Sequence, residues 1–183
     1  MTGFAFSFFD MKHQIRLLWY WLVRVLLYFM PDHPIIMRFR GWLYSLFMPQ
    51  AGKNFQVAHN VIMVSAGGLT VGDNVYLAYG CVIIADKDVT IGDNVMFGPL
   101  CLVASGNHVF RNGSYRWGED SYSPIVVGNG SWIGGGGVLL PGAKMPPKSV
   151  LAANSTLTKD FSQSPSGIYG GSPAKFIKIN DSN

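Results

Sequence analysis

Residues Val71 to Phe97 read VGDNVYLAYGCVIIADKDVTIGDNVMF, and the apolar residues Val71, Leu77, Ile83, Ile91 and Phe97 fall on a six-residue beat with one two-residue slip. Working outward, the same beat takes in Val57 and Met63 before it and Val103, Val127, Ile133, Leu139, Met145, Leu151 and Leu157 after it. A second slip precedes Val71, and one long interruption separates Val103 from Val127. The residue that follows each beat is Gly or Ala at nine of the fourteen positions: Ala58, Gly72, Ala78, Gly92, Gly98, Ala104, Gly128, Gly134 and Ala152. An amphipathic helix repeats every three to four residues and a half-buried strand every two, so neither explains a period of six. A parallel β-helix does. One short strand per hexapeptide sends its apolar residue inward, and the small residue lets the backbone bend into the next face. Three faces close a coil of about 18 residues, and stacked neighbours supply the core that no coil has alone.

The repeats V-G-D-N-V, I-G-D-N-V and V-G-N-G-S-W-I-G, the run L-L-P-G-A-K, T-K-D at Thr158 to Asp160 and the closing G-G-S-P-A-K-F-I-K follow one another in order. Together they resemble the hexapeptide-repeat acyltransferases, above all the maltose, galactoside and nodulation O-acetyltransferases and the bacterial surface-polysaccharide O-acetyltransferases. The likeness runs over residues 52 to 179. It implies an all-β, left-handed parallel β-helix that assembles as a homotrimer, with each active site between two subunits, and moves acetyl from acetyl-CoA to a hydroxyl of a carbohydrate acceptor, with no metal. The expected organisation is a helical segment over 1–51, a β-helix domain over 52–160 with a protruding loop at 105–124, and a C-terminal segment over 161–183 that folds back on the coil.

The formal charge is +4, and residues 1 to 53 hold six bases (Lys12, Arg16, Arg24, Arg38, Arg40, Lys53) against Asp10 and Asp32, a surplus of four. The rest of the chain is balanced, which argues against nucleic-acid binding. Cys81 and Cys101 are too few for a disulfide framework and read as small buried thiols. Ile15 to Met30 and Ile35 to Met48 are apolar runs on either side of Pro31-Asp32-His33-Pro34, which predicts a helical hairpin. Leu17 to Met30 would make about 21 Å of helix against a hydrocarbon core of about 30 Å, and it contains Arg24. No small-residue cleavage site follows, so a secretory signal is not indicated. Two readings stay open for residues 12–48. The helices lie in the membrane interface, or the same surface caps the solenoid or meets neighbouring subunits. Similar segments in relatives that act on lipid-linked acceptors favour the first, and with it a cytoplasmic protein peripheral to the inner membrane.

The interruption between Val103 and Val127 abandons the beat, and loops that leave a rigid scaffold are where function concentrates. Acetyl transfer to a hydroxyl needs a base that is neutral near pH 7, a role imidazole suits. His108, in G-N-H-V ahead of Trp132-Ile133-Gly134, matches the position of the family's catalytic histidine. Glu119, Asp120 or a backbone carbonyl are the candidates to hold its other nitrogen. Tyr115, Trp117 and Tyr122 offer flat faces for a sugar or simply pin the loop. By the same resemblance Asp86 binds the sugar, while Ala78 stands where the family carries an acceptor-binding Asn, which leaves the sugar's identity open. His13, His33 and His59 read as structural or surface residues. For the coenzyme, the matching motifs imply Trp132 near the reactive end, Gly135 and Ala153 along the pantetheine arm, Thr158 and Lys159 toward the nucleotide, and Lys175 and Lys178 on its phosphates. Gly134 to Gly137 belong to the repeat and do not form a triphosphate-binding loop. The competing functions are N-acetylation of an amino sugar or a small xenobiotic, a zinc hydratase, for which His59 and His108 are too few, and a non-catalytic scaffold.

Overall fold

The computed structural model describes residues 8–116 and 120–180. Short strands wind into a left-handed parallel β-solenoid whose three faces are three sheets. The first face stacks Gln50–Ala51, Leu69–Val71, Val89–Ile91, Ile125–Val127 and Lys144–Met145. The second stacks Gln56–Val57, Tyr76–Leu77, Met96–Phe97, Trp132–Ile133 and Val150–Leu151, and the third Ile62–Ser65, Val82–Ile84, Leu102–Ala104, Val138–Leu139 and Thr156–Leu157. Register between neighbouring coils is parallel throughout, as in Gln56 opposite Tyr76 opposite Met96 opposite Trp132.

All fourteen residues of the six-residue beat point inward and are buried. Burying each such aliphatic side chain contributes roughly 1.5–3 kcal/mol, and the residue two before it adds a second inward layer of Val61, Leu69, Val75, Cys81, Val95, Cys101 and Ile125. The two slips fall at the corners that join the third face to the first. Residues 63 to 71 and 83 to 91 take two residues more there than the hexapeptide needs. Cys81 and Cys101 are free and buried, each donating to a carbonyl of the next coil, Gly98 O at 3.2 Å and Gly134 O at 3.3 Å. The bond with Cys101, together with burial, pushes the Cys81 thiol far above its ordinary range, so it is not a thiolate nucleophile.

The corners between the first and second faces explain V-G-D-N-V. Asn54, Asn74 and Asn94 adopt left-handed backbone (φ 56, 57 and 55°) and join in a side-chain ladder at 3.0 and 3.1 Å. The Asp beside Asn74 and the Asp beside Asn94 each accept a backbone N–H of the coil below: Lys53 N to Asp73 at 2.7 Å and Asp73 N to Asp93 at 2.7 Å, with Asn129 continuing the series from Asp93 N at 3.0 Å.

Helix α1 (Phe8–Leu26) and helix α2 (Pro34–Ser45) form the expected hairpin. α1 stops before Met30 because Pro31 disfavours helical backbone in the residue before it and the last turns unwind. Pro34 sits in the first turn of α2 and His33 caps it, its Nδ1 accepting from Ile35 N at 3.4 Å. One face of the hairpin closes the open end of the solenoid. Tyr20, Val23 and Tyr44 join the buried core, Tyr44 Oη donates to Val61 O at 3.3 Å, and Arg40, 2% exposed, donates to Val57 O at 2.7 Å and pairs with Asp32 at 3.0 Å. Burial alone would raise Asp32, but the bonds from His59 and Arg40 outweigh it and hold the carboxyl below its usual range. The opposite face leaves Leu18, Trp21, Phe29, Ile35, Phe39 and Trp42 exposed. Neither described helix is long and apolar enough to cross a membrane. At the far end the chain folds back as an antiparallel ribbon, Gly167–Gly171 with Ala174–Ile179, that extends the second face. Buried Tyr169 joins the core there, its ring meeting those of Phe161 and Phe176 at tilted to edge-on angles with centres 4.9 and 5.5 Å apart.

Candidate active site

Where the third face turns toward the first, the chain leaves the coil after Leu102–Ala104. Buried Ser105 anchors the departure, its N–H donating to Ile84 O at 3.0 Å while Ser123 N returns to Ser105 O at 3.2 Å. Beyond it Gly106–His108 pairs antiparallel with Asp120–Tyr122, and the register sets His108 directly across from Asp120. His108 Nδ1 lies 2.9 Å from Asp120 Oδ1, and Tyr122 Oη donates to Asp120 Oδ2 at 3.2 Å. Both carboxylate oxygens are therefore occupied on this side of the ribbon. In the neutral imidazole, Asp120 as acceptor favours the tautomer with its proton on Nδ1, which leaves Nε2 able to accept. Burial, and then the carboxylates of Asp120 and Asp86, raise the Tyr122 phenol above its ordinary value.

A cavity of about 740 Å³ opens beside this pair. The hairpin ribbon contributes Asp120 and Tyr122, the neighbouring corner Asp86 and Lys87, the first corner Val64, Ser65 and Gly67, and α1 contributes Lys12, His13 and Arg16. The Lys87 ammonium sits 5.8 Å from the centre of the Tyr122 ring. His108 does not line the cavity; it touches it through Asp120. Tyr115 has its ring 5.0 Å from that of Phe110 and does not line the cavity. Trp117 and Glu119 lie outside the described residues.

The coenzyme candidates sit elsewhere. Trp132 stands on the outer side of the second face between Met96 and Val150. Gly135 and Ala153 occupy successive rungs of the corner between the second and third faces, where Asn154 N donates to Gly135 O at 2.9 Å. A Cβ on Gly98 or Gly134 would meet backbone nitrogen of the next coil at 2.6 Å, and Gly136 needs its φ of +68°, so the repeat accounts for them. Gly135 is different. A Cβ there would meet nothing nearer than Pro99 at 3.4 Å. Its lack of a side chain leaves an open backbone edge that the fold does not need. Thr158 and Lys159 are exposed on the same edge as His108, two coils further on, beside the Lys144–Asp160 pair at 2.8 Å that holds Asp160 down to about 2. Lys175 and Lys178 are exposed on the last ribbon, opposite Gly170 and Ile168.

The structure thus gathers His108, Asp120, Asp86 and Tyr122, and keeps Trp132, Gly135, Ala153, Lys175 and Lys178 on other faces of the prism. Lys12, His13, Arg16 and Lys87 were not singled out from sequence as site residues. The spacing of 12, 13 and 16 on one helical face was visible, but nothing in it says that the face covers this corner. Among the described residues no group of three or more His, Cys, Asp or Glu could hold a metal ion.

No family model matches the chain. A probable macrolide acetyltransferase of Lysinibacillus sphaericus is 47% identical over 53 residues, 29% of this chain and 28% of that protein. The galactoside O-acetyltransferase of Escherichia coli strain K12 is 40% identical over 65 residues, 35% of this chain and 31% of that protein. The matched stretches thus span about a third or less of these curated relatives. In structure, a galactoside acetyltransferase in complex with coenzyme A superposes with a TM-score of 0.79 at 27% identity, covering 96% of this chain and 86% of that one. In motif order, in sequence and in fold the chain resembles the hexapeptide-repeat acetyltransferases of the galactoside and maltose O-acetyltransferase group.

Proposed function

We propose that the protein transfers acetyl from acetyl-CoA to a hydroxyl of a sugar or surface-polysaccharide precursor, with His108 as general base. The observation that carries this reading is the 2.9 Å contact between His108 Nδ1 and Asp120. It fixes the tautomer in which Nε2 accepts the hydroxyl proton as the oxygen attacks the thioester carbonyl. His108 then returns that proton to the sulfur as the C–S bond breaks. Asp120 does not change protonation; it orients the ring and stabilises the imidazolium. Asp86, in the adjoining cavity, accepts hydroxyls of the acceptor. The open edge at Gly135 and Ala153 suits an extended pantetheine arm, with Trp132 near the thioester, Thr158 and Lys159 toward the nucleotide and Lys175 and Lys178 on the phosphates.

His108 lies on a different edge of the prism from Trp132, Gly135 and Ala153, so a complete site needs a second chain. A homotrimer supplies it by setting the His108 edge of one subunit against the glycine-rich edge of the next. The test is transfer from acetyl-CoA to hydroxyl and amine acceptors presented in parallel. Ester products support the reading, amide products shift it to N-acetylation, and coenzyme binding with no transfer to any acceptor leaves a scaffold. The 47% match over 53 residues to a probable macrolide acetyltransferase favours a small xenobiotic as the second acceptor class, and a macrolide belongs in the same panel.

The exposed face of the hairpin, with Trp21, Phe29, Phe39 and Trp42 flanked by Arg24 and Arg38, fits the headgroup layer of an anionic membrane on the cytoplasmic side, where a lipid-linked acceptor is held. Full-length protein should float with phosphatidylglycerol vesicles. Protein left at the bottom of the gradient would assign that face to contacts between subunits.

A further inference from the structure

The cavity beside His108 is more cationic than hydroxyl recognition requires. Lys12, Arg16 and Lys87 face Asp86 and Asp120, and Asp120 already serves His108 and Tyr122. Among the described residues no ion pair is formed by Arg16 or Lys87. Arg16 lies over Gly67, where a Cβ would collide with its guanidinium, so the bare corner makes room for this cation above the cavity floor. Lys87 leans on the Tyr122 ring from the other side. Two cations from separate elements thus converge on a space whose one uncommitted carboxylate, Asp86, can take hydroxyls.

Resting on the acetyl-transfer reading, we propose that this cavity is an anion subsite. Arg16 and Lys87 hold a phosphate ester of the acceptor while Asp86 holds its sugar hydroxyls. The preferred acceptor is then a glycosyl phosphate or diphosphate, free or attached to a lipid, and a neutral sugar is a poor one. A guanidinium matches two phosphate oxygens at once, which gives the subsite direction as well as charge.

The first measurement is calorimetric titration of inorganic pyrophosphate into the full-length protein with coenzyme A saturating, so that the coenzyme's own phosphate contacts are occupied. Arg16→Gln combined with Lys87→Gln should weaken binding about tenfold or more. Gly67→Ala, which pushes Arg16 aside without removing charge, should weaken it in the same direction. The second measurement compares acetylation of glucose, glucose 1-phosphate, uridine diphosphate glucose and polyprenyl-phosphate-linked glucose in vesicles. A phosphorylated acceptor should be preferred, with the preference reduced in the double variant. Preference for the soluble esters identifies a free acceptor, and preference for the vesicle arm a lipid-linked one. Pyrophosphate affinity equal in wild type and double variant, no measurable affinity, or glucose used as well as its phosphates would overturn the proposal. If coenzyme A binds but nothing is acetylated, the acetyl-transfer reading fails while the isotherms still decide the subsite.

Discussion

Two edges of the same prism spend their polar groups in opposite ways. On the V-G-D-N edge, Asp73 and Asp93 accept backbone N–H groups of the coil below, and Asn54, Asn74 and Asn94 bond to one another. On the edge between the third and first faces, Asp86 and Asp120 point into a cavity and toward an imidazole. The residue types overlap, so composition does not separate structural carboxylates from those of the candidate site. Corner length does. The regular edge uses the same short turn in successive coils and stacks it in register, so each carboxylate meets the amide beneath it. The other edge carries an extra two residues in two coils and a long excursion in the third, and its side chains find no repeating partner. A solenoid makes room for chemistry where its period fails.

The largest effect that distinguishes the edges should come from His108→Ala. A general base contributes about 10² to 10⁴ in rate, so kcat should fall on that scale while coenzyme A binding and the urea midpoint stay near wild type. Near-normal turnover would strip the irregular edge of its assigned role. Asp120→Asn keeps the shape of the ribbon but replaces the carboxylate with a neutral amide, whose NH2 can face Nδ1 and favour the wrong tautomer. The pair is exposed in the single chain, with side chains 71% and 44% accessible. Its loss should therefore be smaller than that of a buried triad carboxylate, about 10- to 100-fold in kcat with little change in the KM for acetyl-CoA. A loss confined to KM would make Asp120 a binding residue.

On the regular edge the readout should be stability and not rate. Asp93→Ala leaves the Asp73 N–H without its 2.7 Å acceptor, which costs about 1 kcal/mol, or about 2–4 °C in Tm for a chain of this size, with kcat unchanged. Loss of turnover at unchanged Tm would show that the two edges are not independent.

How legible these edges were in sequence follows from what each depends on. The inward positions depend on period alone, and all fourteen, from Val57 to Leu157, are buried. The slips before Val71 and Ile91 marked the irregular edge, and the interruption after Val103 marked the excursion that bears His108. The cationic lining was not legible, because Lys12, His13 and Arg16 reach this corner only through the packing of α1 on the first coils. Which faces carry Trp132 and Gly135 was also hidden. A motif order read along the chain does not say which of three faces each motif lands on.

The smallest expected effect lies at the tip of the excursion. Asn112 and Gly113 have φ of 51° and 79°, between Arg111 and Ser114, which bridge to each other. Left-handed backbone there disfavours any side chain by about 1 kcal/mol in a rigid setting. A Cβ on Gly113, however, would meet nothing within 4 Å, and the turn carries no coil above or below it. Gly113→Ala should therefore shift the urea midpoint of the whole protein by less than the Asp93 variant does and leave kcat within about twofold, because local rearrangement absorbs the strain. Gly134→Ala puts its Cβ 2.6 Å from the Ala153 nitrogen with no freedom to move, and should unfold the protein at markedly lower urea. Equal shifts from the two glycines would mean that the excursion is as tightly built as the coils, and the contrast between the edges would then rest on chemistry and not on packing.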